Sequence, residues 1–167
     1  MQALQMIKEN KKKEAQVFIN NYLKTNPNDP QMLFWKAKLL NESNTSADKE
    51  EAFQLYMSLS DNYPELAEPH NNLGVIFASQ GDYQKATHYF ELALRANPSN
   101  ALASENLADL YVQQAYKYYL NAANYDPANK AVKSKIEKLN SLISPNLPLT
   151  SQSIKPLSSA SPSLNQK

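Results

Sequence analysis

The chain reads as all-α, an α-solenoid of helix hairpins that ends in one long fused helix and a return helix. Three observations carry that reading. Pro64 and Pro98 stand 34 residues apart, and each follows a helical stretch, so the chain repeats. Within each stretch apolar residues recur at three- and four-residue steps, the spacing of one helix face. The sequence holds only two glycines and no cysteine among 167 residues. That excludes a P-loop, a dinucleotide-binding fold, a disulfide scaffold, a Cys-ligated metal and a thiol nucleophile. The length is near that of one modest domain, at roughly 150 residues per domain.

The dipeptides Asn26-Pro27, Asp29-Pro30, Tyr63-Pro64, Asn97-Pro98 and Asp126-Pro127 punctuate the chain. The residue before proline is pushed out of the helical region, so each marks a helix boundary. A first unit over 1–29 carries Ala3 and Met6, then Ala15, Ile19 and Tyr22. It begins about a turn late, with Met1 already inside its first helix, so either the unit is frayed or an upstream segment precedes it. A second unit over 30–66 has Leu33, Ala37 and Leu40, then Ala52, Tyr56 and Leu59. It is three residues longer than the next, and the extra length falls in the turn NESNTSAD, where solvent absorbs it cheaply.

The third unit, 67–100, is the clearest. Its first helix carries His70, Leu73, Gly74 and Phe77 on one face. Gly81-Asp82 breaks the helix, and a second carries Tyr83, Ala86, Phe90 and Ala93. Gly74 sits mid-helix, where glycine costs roughly 1 kcal/mol relative to alanine. Close approach of the paired helix at Ala86 is the expected reason. The order Leu-Gly, aromatic, Gly, Tyr, Ala, aromatic, Ala, Pro resembles the tetratricopeptide repeat, with His70 departing at the tryptophan-type position. The resemblance covers about residues 1–127 and implies a right-handed solenoid with a concave inner surface.

The fourth unit, 101–127, keeps Leu107, Ala108, Tyr111, Ala115, Tyr119 and Ala122 but lacks five residues of the inter-helix turn. Nothing in VQQAY breaks a helix. The stripe Leu107, Ala108, Tyr111, Ala115, Tyr118, Tyr119, Ala122 stays in phase, so two helices should fuse over 102–124, roughly 34 Å at 1.5 Å per residue. A capping helix over 128–143, with Val132, Ile136, Leu139 and Ile143 on one face, should fold back on it. The segment ENLADLYVQQAY is similar to the last repeat of small bacterial tetratricopeptide proteins, which often carry a secretory signal. The tail over 144–167 is rich in proline and serine and lacks apolar periodicity, so disorder is expected. Its apolar points, Leu147, Ile154 and Leu157, are the places for a docking motif.

The resemblance implies that the first helix of each unit lines a groove for an extended or helical peptide. By position the lining residues are Phe34, Lys38, Glu42, Glu68, Asn71, Asn72, Val75, Ser79, Glu105, Asn106 and Asp109. Charge adds to this. Residues 1–38 hold seven lysines against three acids, residues 39–126 four basic against twelve acidic side chains, and residues 127–167 six lysines against one glutamate. An acidic middle between basic ends favours a protein or peptide partner with a Lys/Arg-rich segment; a solvated acidic face kept for solubility is the competing reading. The family's basic clamp for chaperone C-termini is absent, since Leu102 and Asn106 hold its positions and only Asn72 matches.

No enzyme is expected. His70 faces the core, His88 lies on a helix surface, and no nucleophile stands beside a base. No cofactor or metal is implied. Nucleic acid is not an expected partner, because Lys11-Lys12-Lys13 is short and the many tyrosines of the fused helix should be core or helix-interface residues. The N-terminus lacks a secretory apolar stretch and no run is long enough for membrane insertion. The expectation is a cytoplasmic scaffold or adaptor, or a periplasmic one if the N-terminus is truncated. The alternative function is a self-associating structural scaffold, a homodimer through the fused helix.

Overall fold

The computed structural model describes residues 2–142. Among the described residues eight helices follow one another and there is no strand: α1 (Gln2–Lys8), α2 (Lys12–Thr25), α3 (Pro30–Asn41), α4 (Ser46–Asn62), α5 (Ala67–Ser79), α6 (Tyr83–Ala96), α7 (Ala101–Tyr125) and α8 (Lys130–Asn140). Each helix packs on the next, and α5 also touches α7. The result is an all-α solenoid. Its main core runs from α3 to α7 through Ala37, Tyr56, Leu59, Leu73, Phe90 and Leu110. A smaller cluster of Ala67, Ala93 and Ala103 closes the junction of α5, α6 and α7. The tail and its apolar points, with Ile143, lie outside the described residues.

The turns between hairpins share one construction. After four of the five X-Pro pairs, a backbone N–H three residues on returns to the X carbonyl: Asp29 to Asn26, Leu66 to Tyr63, Asn100 to Asn97 and Asn129 to Asp126. In three of the four, the last turn residue then caps the next helix. Asp29 Oδ1 accepts from the Met32 N–H at 2.9 Å, Asn100 Oδ1 from Ala103 at 3.0 Å and Asn129 Oδ1 from Val132 at 3.1 Å. Each cap satisfies one of the backbone donors that a helix start leaves free, worth about 1 kcal/mol. Leu66 makes no such bond.

Two of the turns inside hairpins also match. Gly81 adopts φ +79°. Its N–H bonds the Ala78 carbonyl, and the Asp82 N–H bonds the Phe77 carbonyl, so the end of α5 is a complete Schellman motif. Asp82 then caps α6 through the Lys85 N–H, and that bond holds its carboxyl below the usual carboxylate range. Asn10, with φ 60°, repeats the motif at the end of α1. Its N–H bonds Ile7, and the Lys11 N–H bonds Met6. Asparagine is the non-glycine residue best suited to the left-handed region.

Gly74 meets a different residue from the one expected. Its close neighbour is Phe90, not Ala86: a Cβ there would stand 2.5 Å from two atoms of the Phe90 ring. The large residue of the α5/α6 pair thus fills the space that the small one leaves.

The fused helix is present as α7, with 25 residues. Its buried face is not the expected stripe. Ala103, Leu110 and Gln113 face inward, whereas Ala108, Tyr111, Tyr118 and Tyr125 are exposed. The reason is that α7 must meet α6 and α5 on one side and α8 on another. The stripe read from 3- and 4-residue spacing is split: Leu107 packs on the main core and Tyr119 meets α8, while Ala108, Tyr111 and Tyr118 fall beside both contacts. Those tyrosines are therefore neither core nor packed interface within the chain. The return helix α8 is shorter than expected, and its face of Val132, Ile136 and Leu139 is only half-buried. Lys135 Nζ stands 5.1 Å from the Tyr119 ring centre.

Candidate peptide-binding groove

The hairpin architecture decides which predicted groove residues are accessible. On α5, Glu68, Asn72, Val75 and Ser79 follow steps of four, three and four, so they share the face turned away from Leu73, Gly74 and Phe77. Glu68, Val75 and Ser79 are exposed and Asn72 is half-buried. The Asn72 amide donates to the Glu68 carbonyl at 2.7 Å, so it is tied to its own helix. On α7, Glu105 is exposed and Asp109 half-buried, one turn apart.

Asn71 and Asn106 join these two faces. Asn71 is 5 % exposed, and its Oδ1 accepts from the Asn106 Nδ2 at 2.8 Å. This bond crosses from α5 to α7 at the border of both exposed faces. It ties the helix that carries Glu105 and Asp109 to the helix that carries Glu68, Asn72, Val75 and Ser79. Asn71 is thus a clasp between hairpins, not a free groove residue. Leu102 completes the α7 face, one turn before Glu105 and Asn106, and is 57 % exposed. Sequence reasoning missed it as a lining residue. Its spacing to Glu105 and Asp109 was the available signal.

On α3 the picture differs. Phe34 is buried, in edge contact with Trp35 at 5.2 Å and near Tyr56 at 6.1 Å, so it belongs to the core. The accessible group is Trp35 with Lys38, whose Nζ stands 5.3 Å from the indole centre. Trp35 is half-buried and was also missed. Glu42 is exposed but pairs with Lys12 at 2.7 Å. Its charge is thereby partly neutralised, and the other acidic residues of the predicted lining, Glu68, Glu105 and Asp109, lie on α5 and α7.

The histidines stand as expected. His70 is 1 % exposed. One ring nitrogen, Nε2, lies 3.0 Å from the Pro64 carbonyl and the other, Nδ1, 3.0 Å from Ser60 Oγ. A carbonyl only accepts, so Nε2 carries the proton and the Ser60 hydroxyl donates to Nδ1. His70 thereby stitches α4 and the following turn to α5, in the slot where a tryptophan-type residue was expected. His88 is exposed. Among the described residues no group of three His, Asp or Glu is placed to hold a metal ion, and no helix is long and apolar enough to cross a membrane.

Residues 67–100, the α5/α6 hairpin with its flanking turns, match the family model of the tetratricopeptide repeat. The chain is thus a helical-repeat protein that carries a tetratricopeptide repeat, a unit that generally mediates contacts between proteins. Three relatives fill in the comparison. The chain is similar to general transcription factor 3C polypeptide 3 of Homo sapiens, 30 % identical over 99 residues, 54 % of this chain and 11 % of that protein. It is similar to a protein O-mannosyl-transferase of Mus musculus, 33 % identical over 96 residues, 55 % of this chain and 10 % of that one. It is also similar to a photosystem I assembly protein of Rippkaea orientalis (strain PCC 8801 / RF-1), 28 % identical over 98 residues, 50 % of this chain and 56 % of the relative. The chain thus spans about a tenth of the first two relatives and about half of the third.

Proposed function

We propose that the chain is a non-catalytic adaptor that holds a partner protein through a peptide rich in lysine and arginine, with apolar side chains among the basic ones. The supporting observation is the Asn71–Asn106 bond, which ties α5 to α7 at the edge of their open faces. Those faces offer carboxylates at Glu68, Glu105 and Asp109 and apolar contact at Val75 and Leu102. Carboxylates attract the basic groups and speed the encounter, while the apolar pair supplies burial once the peptide is seated. Trp35 beside Lys38 extends the surface along α3. A periplasmic or a cytoplasmic setting is compatible with this work.

Trp35 is the only tryptophan in the sequence, so its fluorescence reports on the α3 end of the groove. Titration with a peptide alternating lysine and leucine should give saturable binding that weakens about tenfold from 20 to 150 mM salt, as solvent-exposed charge pairs are screened. The triple variant Asn72→Ala, Glu105→Ala, Asp109→Ala should weaken binding by about tenfold, near 1.4 kcal/mol. Salt-independent binding, or an unaffected triple variant, would remove the electrostatic groove.

A further inference from the structure

The exposed side of α7 carries a seven-residue repeat of its own. Ala101, Ala108, Ala115 and Ala122 recur every seven residues, and so do Ser104, Tyr111, Tyr118 and Tyr125. The two series interleave at steps of three and four, the a/d pattern of a helix seam. No residue of the repeat is fully buried within the chain: Ala101, Ser104 and Ala108 are exposed, Ala115 and Ala122 half-buried, and Tyr111, Tyr118 and Tyr125 are 49 %, 71 % and 86 % exposed. At 100° per residue, the tyrosines lie on the opposite side of the helix from Asp109, away from the groove.

From this repeat we infer that α7 pairs with α7 of a second copy of this chain, antiparallel, about a two-fold axis through Gln113. The spacing of the seam is symmetric about that residue. Reversal sets Ala101 against the second copy's Tyr125, Ser104 against Ala122, Ala108 against Tyr118 and Tyr111 against Ala115. Every tyrosine meets an alanine, so three of the four kinds of layer hold one large and one small side chain, and only the Ser104/Ala122 layer holds two small ones. A two-fold interface demands a surface complementary to itself, and this surface is. A parallel pair would stack tyrosine on tyrosine and leave alanine layers underfilled. The flanking positions of the antiparallel pair oppose Glu105 to Tyr119, Leu107 to Asn121, Val112 to Val112 and Gln114 to Gln114, so no like charges meet.

The area is also in range. At ~200 Å² per tyrosine, the three leave about 400 Å² uncovered in one copy, as large as the patches that mark interfaces. Two copies bring about 800 Å² before the alanines are counted, close to the ~1,000 Å² at which specific interfaces begin. An area at that lower end is typical of weak association.

Sedimentation equilibrium on the full chain, from about 5 to 500 μM, tests this. The average mass should rise from 18.8 kDa towards twice that value. The variant Tyr111→Glu, Tyr118→Glu should raise the dissociation constant at least tenfold with unchanged helicity by circular dichroism, because both side chains are largely exposed. A chain that stays monomeric throughout, or a double variant that dimerises as well as the parent, overturns the proposal. Orientation has its own probe, since the chain has no cysteine. Ala108→Cys mixed with Tyr118→Cys should oxidise to a disulfide-linked pair. Ala108→Cys alone should not, because its two copies would sit ten residues apart along the seam, about 15 Å. Cross-linking of Ala108→Cys with itself in preference to the mixed pair would overturn the antiparallel arrangement.

Discussion

At the scale of single residues, the tightest constraint is Gly74 under the Phe90 ring. In an open helix, Gly→Ala is favourable by about 1 kcal/mol. Here the added Cβ meets ring atoms at 2.5 Å, and Phe90 is itself buried, so the ring cannot swing clear. Gly74→Ala should destabilise the chain by about 1–3 kcal/mol, and the larger Gly74→Leu at least as much. Thermal melts of Gly74→Ala in the parent and in a Phe90→Leu background should show the penalty shrinking when the ring is gone. Tyr56 is a different kind of residue. It is fully buried, and its hydroxyl has no hydrogen-bond partner among the described residues. Burial, with a smaller contribution from Glu42, pushes its pKa well above the ordinary 10.0. The unfolded chain therefore loses this proton first. Tyr56 contributes stability that is complete below pH 10 and falls away as pH rises beyond it. Tyr56→Phe should be neutral or stabilising by about 1 kcal/mol at pH 7. Chemical denaturation at pH 7 and above 10 should show the variant losing less stability than the parent on the alkaline side.

At the scale of elements, the boundaries were legible because X-Pro pairs and Gly81-Asp82 act locally. A proline removes a donor and restricts its predecessor whatever surrounds it. The lost break in α7 was legible for the same reason: without a residue that stops a helix, the helix continues. What spacing could not decide was which side of α7 turns inward. Ala108, Tyr111 and Tyr118 form as regular a stripe as Ala103, Leu107 and Leu110, and periodicity weighs the two alike. The contacts of α5, α6 and α8 choose between them. The caps at Asp29, Asn100 and Asn129 are a smaller case, visible three residues after the X of each X-Pro turn once that turn is seen as a unit.

At the scale of the whole molecule, a solenoid has only neighbour contacts, so stability should vary along it. The α5/α6 hairpin has neighbours on both sides, whereas α1 and α8 are the outermost described helices, and α8 has no fully buried residue. Amide hydrogen exchange should be slowest in α5 and α6 and fastest in α1 and α8; uniform protection would contradict a nearest-neighbour stack. Of the candidate groove, the α5 stripe and the acids of α7 were legible, because four-residue steps place them on one face. Phe34 and Asn71 were misplaced, and Trp35 and Leu102 passed over, because a residue at the edge of a helix face is assigned by its neighbour helix. The amino-acid order alone determined the all-α class, the repeat, its breaks and the fused helix, since all follow from local backbone chemistry and helical period. Only the packing of one helix on another decided that Phe90 covers Gly74, that Asn71 clasps Asn106 and that the tyrosines of α7 face outward, because burial belongs to pairs of elements and not to any one of them.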